Sequence, residues 1–246
     1  MNNRLYDRVA DTYASLRVPD PRIAARVHAA IGSAMTLVNV GAGTGSYEPL
    51  GRTRIAVDAS LEMLKQRSPD QAPAVQCMAQ CLPFQDATFD ASLAILTLHH
   101  WRDPAAGLAE MRRVARHRVV VLTWDPAHTG FWLVQHYFPE ILSIDRQIFP
   151  TLEQFEAALG PVDVIPVTIP ADCTDGFLGA YWKRPWSYLD ARVRAAISTF
   201  DKIAPADGLA HLRRDLTDGT WARNNAWLAD SAELDLGYRL VVAKYP

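Results

Sequence analysis

From residue 36 onward, short apolar runs and amphipathic stretches take turns along the chain. Residues 36–40, 54–57, 74–78, 89–96 and 118–123 are rich in Val, Ile, Leu and Ala, and each is too short for a helix, so they read as strands. The run 89–96 carries little polar interruption, the pattern of a strand covered on both faces. Helix signals fall between them. Ser60 can cap a helix carrying Leu61, Met63 and Leu64, and Asp103 with Pro104 makes an N-cap and first-turn pair for a helix through Val114. Thr151 starts another helix, to Leu159. Residues 162–169 read as a sixth strand and 234–243 as a closing one. Before all of these, Leu5, Val9 and Tyr13 form one stripe of a helix over 4–16, which Pro19 and Pro21 end, and a second helix covers 21–31. The alternation predicts an α/β fold, a doubly wound parallel sheet with helices on both faces, in one domain spanning 1–246. Two stretches break the rhythm. Residues 125–150, with Phe131, Trp132, Tyr137, Phe138 and Phe149, and residues 170–230 read as a helical, aromatic cap over the sheet's C-terminal edge.

Composition narrows the possibilities. With 49% hydrophobic residues the chain can bury a full core, which excludes intrinsic disorder. Lys and Arg number 25 against 27 Asp and Glu, a formal net charge of −2, so a nucleic-acid partner is not expected. The one basic cluster, Arg112, Arg113, Arg116 and Arg118, ends a predicted helix and reads as a solvated face favoured by the helix dipole. Cys77, Cys81 and Cys173 are odd in number and lack a second pair at zinc-site spacing, so reduced thiols and no metal are expected. No apolar run approaches a membrane span, and the first residues lack the apolar stretch of a secretory signal. The expectation is a cytoplasmic protein without a membrane partner, either monomer or homodimer.

The strongest local signal is the run from Val38 through Asn39 and Val40 to Gly41, Ala42, Gly43, Thr44 and Gly45. A strand leading into three glycines lets backbone approach a ligand closely and points a helix N-terminus at it. The spacing is G-x-G-x-G. The dinucleotide fingerprint is G-x-G-x-x-G, and Ser46 stands where its third glycine would fall, which disfavours a nicotinamide-dependent oxidoreductase. Asp58 ends the next strand, where a carboxylate can accept hydrogen bonds from both hydroxyls of a ribose; the alternative is an aspartate that caps a loop or helix.

In these residues the chain resembles the class I S-adenosylmethionine-dependent methyltransferases, especially the ubiquinone- and menaquinone-biosynthesis group, over roughly residues 4–125. The resemblance runs in order through Tyr6 to Ala10 with Tyr13 and Arg17, Gly41 to Gly45, Val57 to Ser60 with Met63 and Leu64, Gln80 to Phe84 with Phe89 and Asp90, and Leu98 to Trp101 with Asp103 and Pro104. It implies a Rossmann-like, seven-stranded, mostly parallel sheet whose last strand is antiparallel. It also implies S-adenosyl-L-methionine as cofactor, held by a core over 36–124 and covered by N-terminal helices over 1–35. By the same resemblance the cofactor contacts are Tyr13, Arg17, Asn39, Gly41, Ala42, Gly43, Gly45, Asp58, Ala59, Met63, Met78, Ala79, Gln80 and Leu96. Arg17 has two readings, a partner of the cofactor carboxylate or a surface cation. Two positions depart from the family's pattern. Asn39 stands where an acid is usual, and Met78 where an aspartate usually bonds the adenine amino group. These departures leave open a cofactor-binding or regulatory protein that has lost transfer.

The implied reaction is methyl transfer to N, O or C of a small-molecule acceptor. Its centre is expected beyond the strands' carboxyl ends, beside residues 97–101 with 124–128 nearby. His99 and His100 are the candidate bases, since imidazole titrates near neutral pH. They equally read as a pair that orders its loop. Trp101, Trp124, Trp132, Asp172, Tyr181 and Trp182 are the candidate acceptor-facing residues, with core packing or helix capping as the alternative for each.

Overall fold

The computed structural model describes residues 16–246, so the predicted helix over 4–16 and the expected cofactor contact Tyr13 lie outside the described residues. The chain divides into two compact units. The larger comprises 21–127, 145–167 and 237–246; the described part of the smaller comprises 16–20, 128–144 and 168–236.

The larger unit is built on strands β1 (Leu37–Val40), β2 (Thr53–Asp58), β3 (Ala74–Gln76), β4 (Phe89–Ile95), β5 (Ala115–Trp124), β6 (Val162–Pro166) and a late strand, Tyr238–Lys244. The sheet runs β3-β2-β1-β4-β5, then the late strand, then β6. Pairing is parallel from β3 through β5, while the late strand is antiparallel to both of its neighbours. All four residues of β1 are buried, Asn39 among them, and so is the centre of β4, the pattern of strands covered on both faces. Helix α1 (Pro21–Ile31) buries Ile23, Val27, Ala30 and Ile31. The short α2 (Leu61–Lys65) starts at Ser60, whose Oγ accepts from Met63 N–H at 3.3 Å. Helix α3 (Pro104–Val114) is capped by Asp103, whose Oδ1 accepts from Ala106 N–H at 3.0 Å. Helix α4 (Leu152–Leu159) starts with a reciprocal Thr151–Gln154 capping box. Leu108, Met111 and Val114 of α3 and Phe155 and Leu159 of α4 close over Val119, Val121 and Val241. Each such side chain taken from water contributes about 1.5–3 kcal/mol.

Three expectations need correction. First, no helix follows the glycine turn. Residues 41–52 join β1 to β2 through turns alone, so no helix N-terminus points at the site. Second, 162–169 and 234–243 are not single strands. Pro166 brings no N–H to continue the ladder, and Gly237 turns the chain at φ +92°. The residues beyond each break, β7 (Ile169–Pro170) and β8 (Glu233–Leu234), pair with each other in a separate two-stranded ribbon. The late strand is β9. Third, the basic cluster is a set of internal ties. Arg113 bonds Glu110 at 2.6 Å and Asp86 at 2.8 Å, Arg116 reaches Asp90 at 3.3 Å, Arg118 donates to the Ala30 carbonyl at 2.6 Å, and Arg112 covers the Tyr245 ring at 3.5 Å.

The smaller unit is a set of 3₁₀ turns and short helices around an aromatic core, with α5 (Ala206–Thr217) its longest helix among the described residues. Trp132 meets Tyr137, Tyr188 and Trp221 edge to face. Its indole N–H donates to the Trp182 carbonyl at 3.0 Å, and the Trp182 N–H donates to the Ile169 carbonyl at 2.9 Å. Trp132 and Trp182, two of the expected acceptor-facing residues, are 2% and 0% exposed. With their indole N–H groups bonded to backbone, they are core, because a buried indole must find an acceptor. Among the described residues no helix is long and apolar enough to cross a membrane.

All three cysteines are free thiols, and their reactivity should follow burial. Cys81 is exposed, Cys77 is half-buried with its pKa raised by burial and then by Cys81 and Asp58, and burial pushes buried Cys173 up to about 12. A disulfide-exchange reagent at pH 8 should therefore titrate Cys81 first, Cys77 more slowly, and Cys173 only on unfolding. One fast thiol assigned to Cys173 by mass spectrometry would contradict this order.

Candidate active site

The carboxyl ends of β1, β2 and β4 bring most of the expected cofactor residues together in the larger unit. Gly41, Gly43 and Gly45 adopt φ of +67°, +50° and +92°, conformations that side chains strain. The first is also closely overlaid: a Cβ on Gly41 would lie 2.2 Å from Thr97 Oγ1. Over Gly43 there is room, since a Cβ there would meet only Met63 Cε, at 3.4 Å. The turn's amides are largely used inside the protein. Ala42 N–H donates to the Val57 carbonyl at 2.9 Å, Gly43 N–H to Asp58 Oδ2 at 2.8 Å, and Gly45 N–H to the Ala42 carbonyl at 2.8 Å. Close approach of bare backbone, more than amide donation from these three, is what the glycines supply.

Asp58 closes β2 and ties two turns together. Its Oδ2 takes the Gly43 N–H, and its Oδ1 takes the Ser60 N–H at 2.8 Å. Each oxygen keeps a further lone pair for another donor. The next turn beyond is fastened to it through backbone and amide: Cys77 N–H donates to the Asp58 carbonyl at 3.1 Å, and Gln76 Nε2 to the Ala59 carbonyl at 3.0 Å. Met78 is 49% exposed there, Ala79 is buried, and Gln80 reaches the Asp103 carbonyl at 3.3 Å.

After β4, Leu96 takes φ +47°, a left-handed conformation that costs a branched side chain about 1–2 kcal/mol. The kink turns residues 98–100 into one 3₁₀ turn. His99 lies flat against Phe149, with centroids 4.7 Å apart, and His100 is exposed with its ring 4.0 Å from that of His99. Trp124, at the end of β5, meets the edge of Phe149 at 5.8 Å and is buried. Trp101 packs over α3, where a Cβ on Gly107 would fall 2.4 Å from its ring. Gly107→Ala should therefore cost about 1–3 kcal/mol by overpacking. In a Trp101→Ala background the same change should instead stabilise by up to about 1 kcal/mol through helix propensity. Thermal unfolding of the four chains reads the sign reversal, and equal shifts in both backgrounds would refute the contact.

Comparison with known proteins resolves what carries such a site. The family model described as a methyltransferase domain matches residues 38–123. An Anabaena variabilis protein, assigned as a methyltransferase of an antibiotic biosynthesis pathway, is 30% identical. The alignment covers 94% of this chain and all of that one, with a TM-score of 0.84. The chain belongs to the class I S-adenosylmethionine-dependent methyltransferases. Two curated relatives match a little under half of it. The chloroplastic 2-methyl-6-phytyl-1,4-hydroquinone methyltransferase 2 of Oryza sativa subsp. japonica is 29% identical over 49% of this chain and 36% of its own length. The demethylmenaquinone methyltransferase of Renibacterium salmoninarum is 33% identical over 43% of this chain and 47% of its own. The chain thus aligns with about a third to a half of the length of these curated relatives.

The methyltransferase fold accounts for the strand order and the antiparallel β9. The remaining expected residues lie in the smaller unit. Arg17 is not directed to a ligand by its Nε, which donates to Asp175 Oδ1 at 2.6 Å, and Asp175 is fully buried. The strap is completed by Gly176 N–H on the Leu16 carbonyl at 2.8 Å. Tyr181 is buried beneath the Arg184 guanidinium, 4.9 Å from its centroid, with its hydroxyl pKa raised by burial. Asp172 is exposed. Sequence reasoning passed over Glu48 and Arg67, which are buried beside the glycine turn. Each lies outside any motif, and with Arg52 four residues after Glu48 and Asp70 three after Arg67, nothing in the sequence singled out their pairing.

Proposed function

We propose that this methyltransferase transfers a methyl group from S-adenosylmethionine to a nucleophilic atom of a small, partly planar or apolar acceptor. The observation that carries the reading is the Asp58 carboxylate, held by the Gly43 and Ser60 amides at the ends of two adjacent parallel strands. The residues present suit the cofactor: a carboxylate with spare lone pairs for ribose hydroxyls, open space over Gly43 bordered by Met63, and an exposed apolar Met78. When bound, S-adenosylmethionine supplies a methyl group already activated on a sulfonium sulfur.

The chain's own residues then align and deprotonate. Asp58 would grip the ribose, with Ala59 and Met63 beside it, and Met78, Ala79 and Gln80 would border the adenine. The bare backbone at Gly41 to Gly45 would leave room for the amino-acid end. Holding donor and acceptor in line supplies much of the acceleration for an activated methyl group. His100, exposed in the 3₁₀ turn that follows β4, would accept a proton from the acceptor. His99, stacked on Phe149, orders the turn that presents it. The hydroquinone and demethylmenaquinone named for the curated relatives support a planar acceptor. Incubating the protein with methyl-labelled S-adenosylmethionine and panels of quinols, phenols, amines and carboxylates tests the reading. Label transfer to at least one class is expected, and the absence of any calorimetric heat with millimolar S-adenosylhomocysteine would overturn it.

A further inference from the structure

We propose that Asn39 and Glu48, with Arg67, are coupled positioning residues. In this reading the buried Glu48 carboxylate dictates an amide at position 39 and fixes the glycine turn that receives the amino-acid end of the cofactor. The inference rests on the reading above that this site binds S-adenosylmethionine.

The segment 41–52 joins two parallel strands without a helix, so no ladder of helical hydrogen bonds stiffens it. Something else must hold its shape. Glu48 lies within this segment with its side chain only 1% exposed, and three donors converge on its carboxylate. Asn39 Nδ2 reaches Oε2 at 3.0 Å, Arg67 Nη2 reaches Oε1 at 2.8 Å and Oε2 at 2.9 Å, and Ala72 N–H reaches Oε1 at 3.3 Å. The Arg67 side chain is itself only 5% exposed, and its Nη2 also donates to the Ala72 carbonyl at 3.2 Å. Gln71 Nε2 meets the Gly45 carbonyl at 3.4 Å. The stretch 67–72, after α2, therefore ties the glycine turn from outside, and Arg67 pairs with the buried carboxylate there.

The identity of residue 39 follows from the chemistry. A carboxamide has one donating and one accepting end, whereas a carboxylate only accepts. Glu48 thus turns Nδ2 toward itself and Oδ1 away, and Asn39 Oδ1 is a buried acceptor that no group among the described residues satisfies. An aspartate at 39 would set a second carboxylate against Glu48 at the same 3.0 Å spacing. Two carboxylates so close cannot both remain ionised. Strain of that kind would be released through the turn, because Asn39 stands two residues before Gly41.

Calorimetric titration of the whole chain with two ligands tests this. S-adenosylhomocysteine carries the amino-acid end; 5′-methylthioadenosine shares the adenosine and thioether but lacks it. Asn39→Asp should weaken S-adenosylhomocysteine at least about tenfold at pH 7.5 and methylthioadenosine less than about twofold. The double change Asn39→Asp with Glu48→Gln keeps one carboxylate and one amide but exchanges their places. It should recover S-adenosylhomocysteine affinity to within about threefold of the parent. If Asn39→Asp fails to fold while the double variant folds and binds, the coupling stands. The proposal is overturned if Asn39→Asp binds S-adenosylhomocysteine as tightly as the parent, if both ligands weaken alike, or if the double variant is no better than the single one or does not fold. A parent chain that takes up neither ligand overturns the cofactor reading and this inference together, a result distinguished by the lack of heat before any substitution.

Discussion

Replacing Asp58 with alanine is expected to weaken S-adenosylhomocysteine binding at least about a hundredfold, the largest effect of any single side chain at the site. Two losses combine. The ribose hydroxyls lose a charged acceptor, and the Gly43 and Ser60 amides lose the carboxylate that holds both turns in place. A hydrogen bond to a charged group contributes about 1.5–3 kcal/mol, so two of them exceed the ~2.7 kcal/mol that a hundredfold change represents. Asp58→Asn should fall between the parent and alanine. Its amide can satisfy one of the two N–H groups but must turn an N–H toward the other. Calorimetric titration checks the order. Binding of the alanine variant within about threefold of the parent would remove the carboxylate from the cofactor site altogether.

Gly41→Ala should be the most damaging single methyl in the larger unit. The added Cβ would stand 2.2 Å from Thr97 Oγ1 and 2.7 Å from its Cγ2, on a residue held at φ +67°. Thr97 is buried and β-branched, so it has little freedom to retreat. The left-handed backbone costs about 1–2 kcal/mol and overpacking about 1–3 kcal/mol more, a sum that would lower Tm by several degrees. Thr97→Ala in the same chain removes the two nearest atoms and should restore part of the loss, leaving the backbone cost. A Gly41→Ala protein with unchanged Tm and unchanged ligand affinity would contradict the close overlay of these two turns.

Most of the sheet was legible because its signals are local. Apolar runs bounded by glycine and proline located β1 to β5, and Ser60, Asp103 and Thr151 announced three helix starts through short-range capping chemistry. Asp58 was legible because a motif of fixed spacing places a carboxylate one strand after the glycines. What escaped was set by contacts distant in sequence. The glycines and Pro49 of residues 41–52 disfavour a helix, but the particular shape of the turn depends on Glu48 meeting Arg67 across nineteen positions and on Gln71 against Gly45. Trp132 and Trp182 look alike as pocket or core from composition, and only the backbone carbonyls their indoles reach decide between the two. The break at Pro166 was visible as a residue but not as a departure from the sheet, since proline also occurs at strand ends. Neither reading of Arg17, ligand partner or surface cation, included its pairing with Asp175, which lies 158 residues away.

The position of β9 bears on how the nascent chain matures. This strand is reached last along the polypeptide, yet it lies inside the sheet, hydrogen-bonded to β5 on one side and β6 on the other. At synthesis rates of about 5–20 residues per second, β5 waits on the order of ten seconds for it. Throughout that interval the apolar edge around Val119 to Leu122 is open to pairing with any other strand. Ribosome stalling or a premature stop upstream of Tyr238 should therefore yield an aggregating, chaperone-bound product rather than a shortened soluble one.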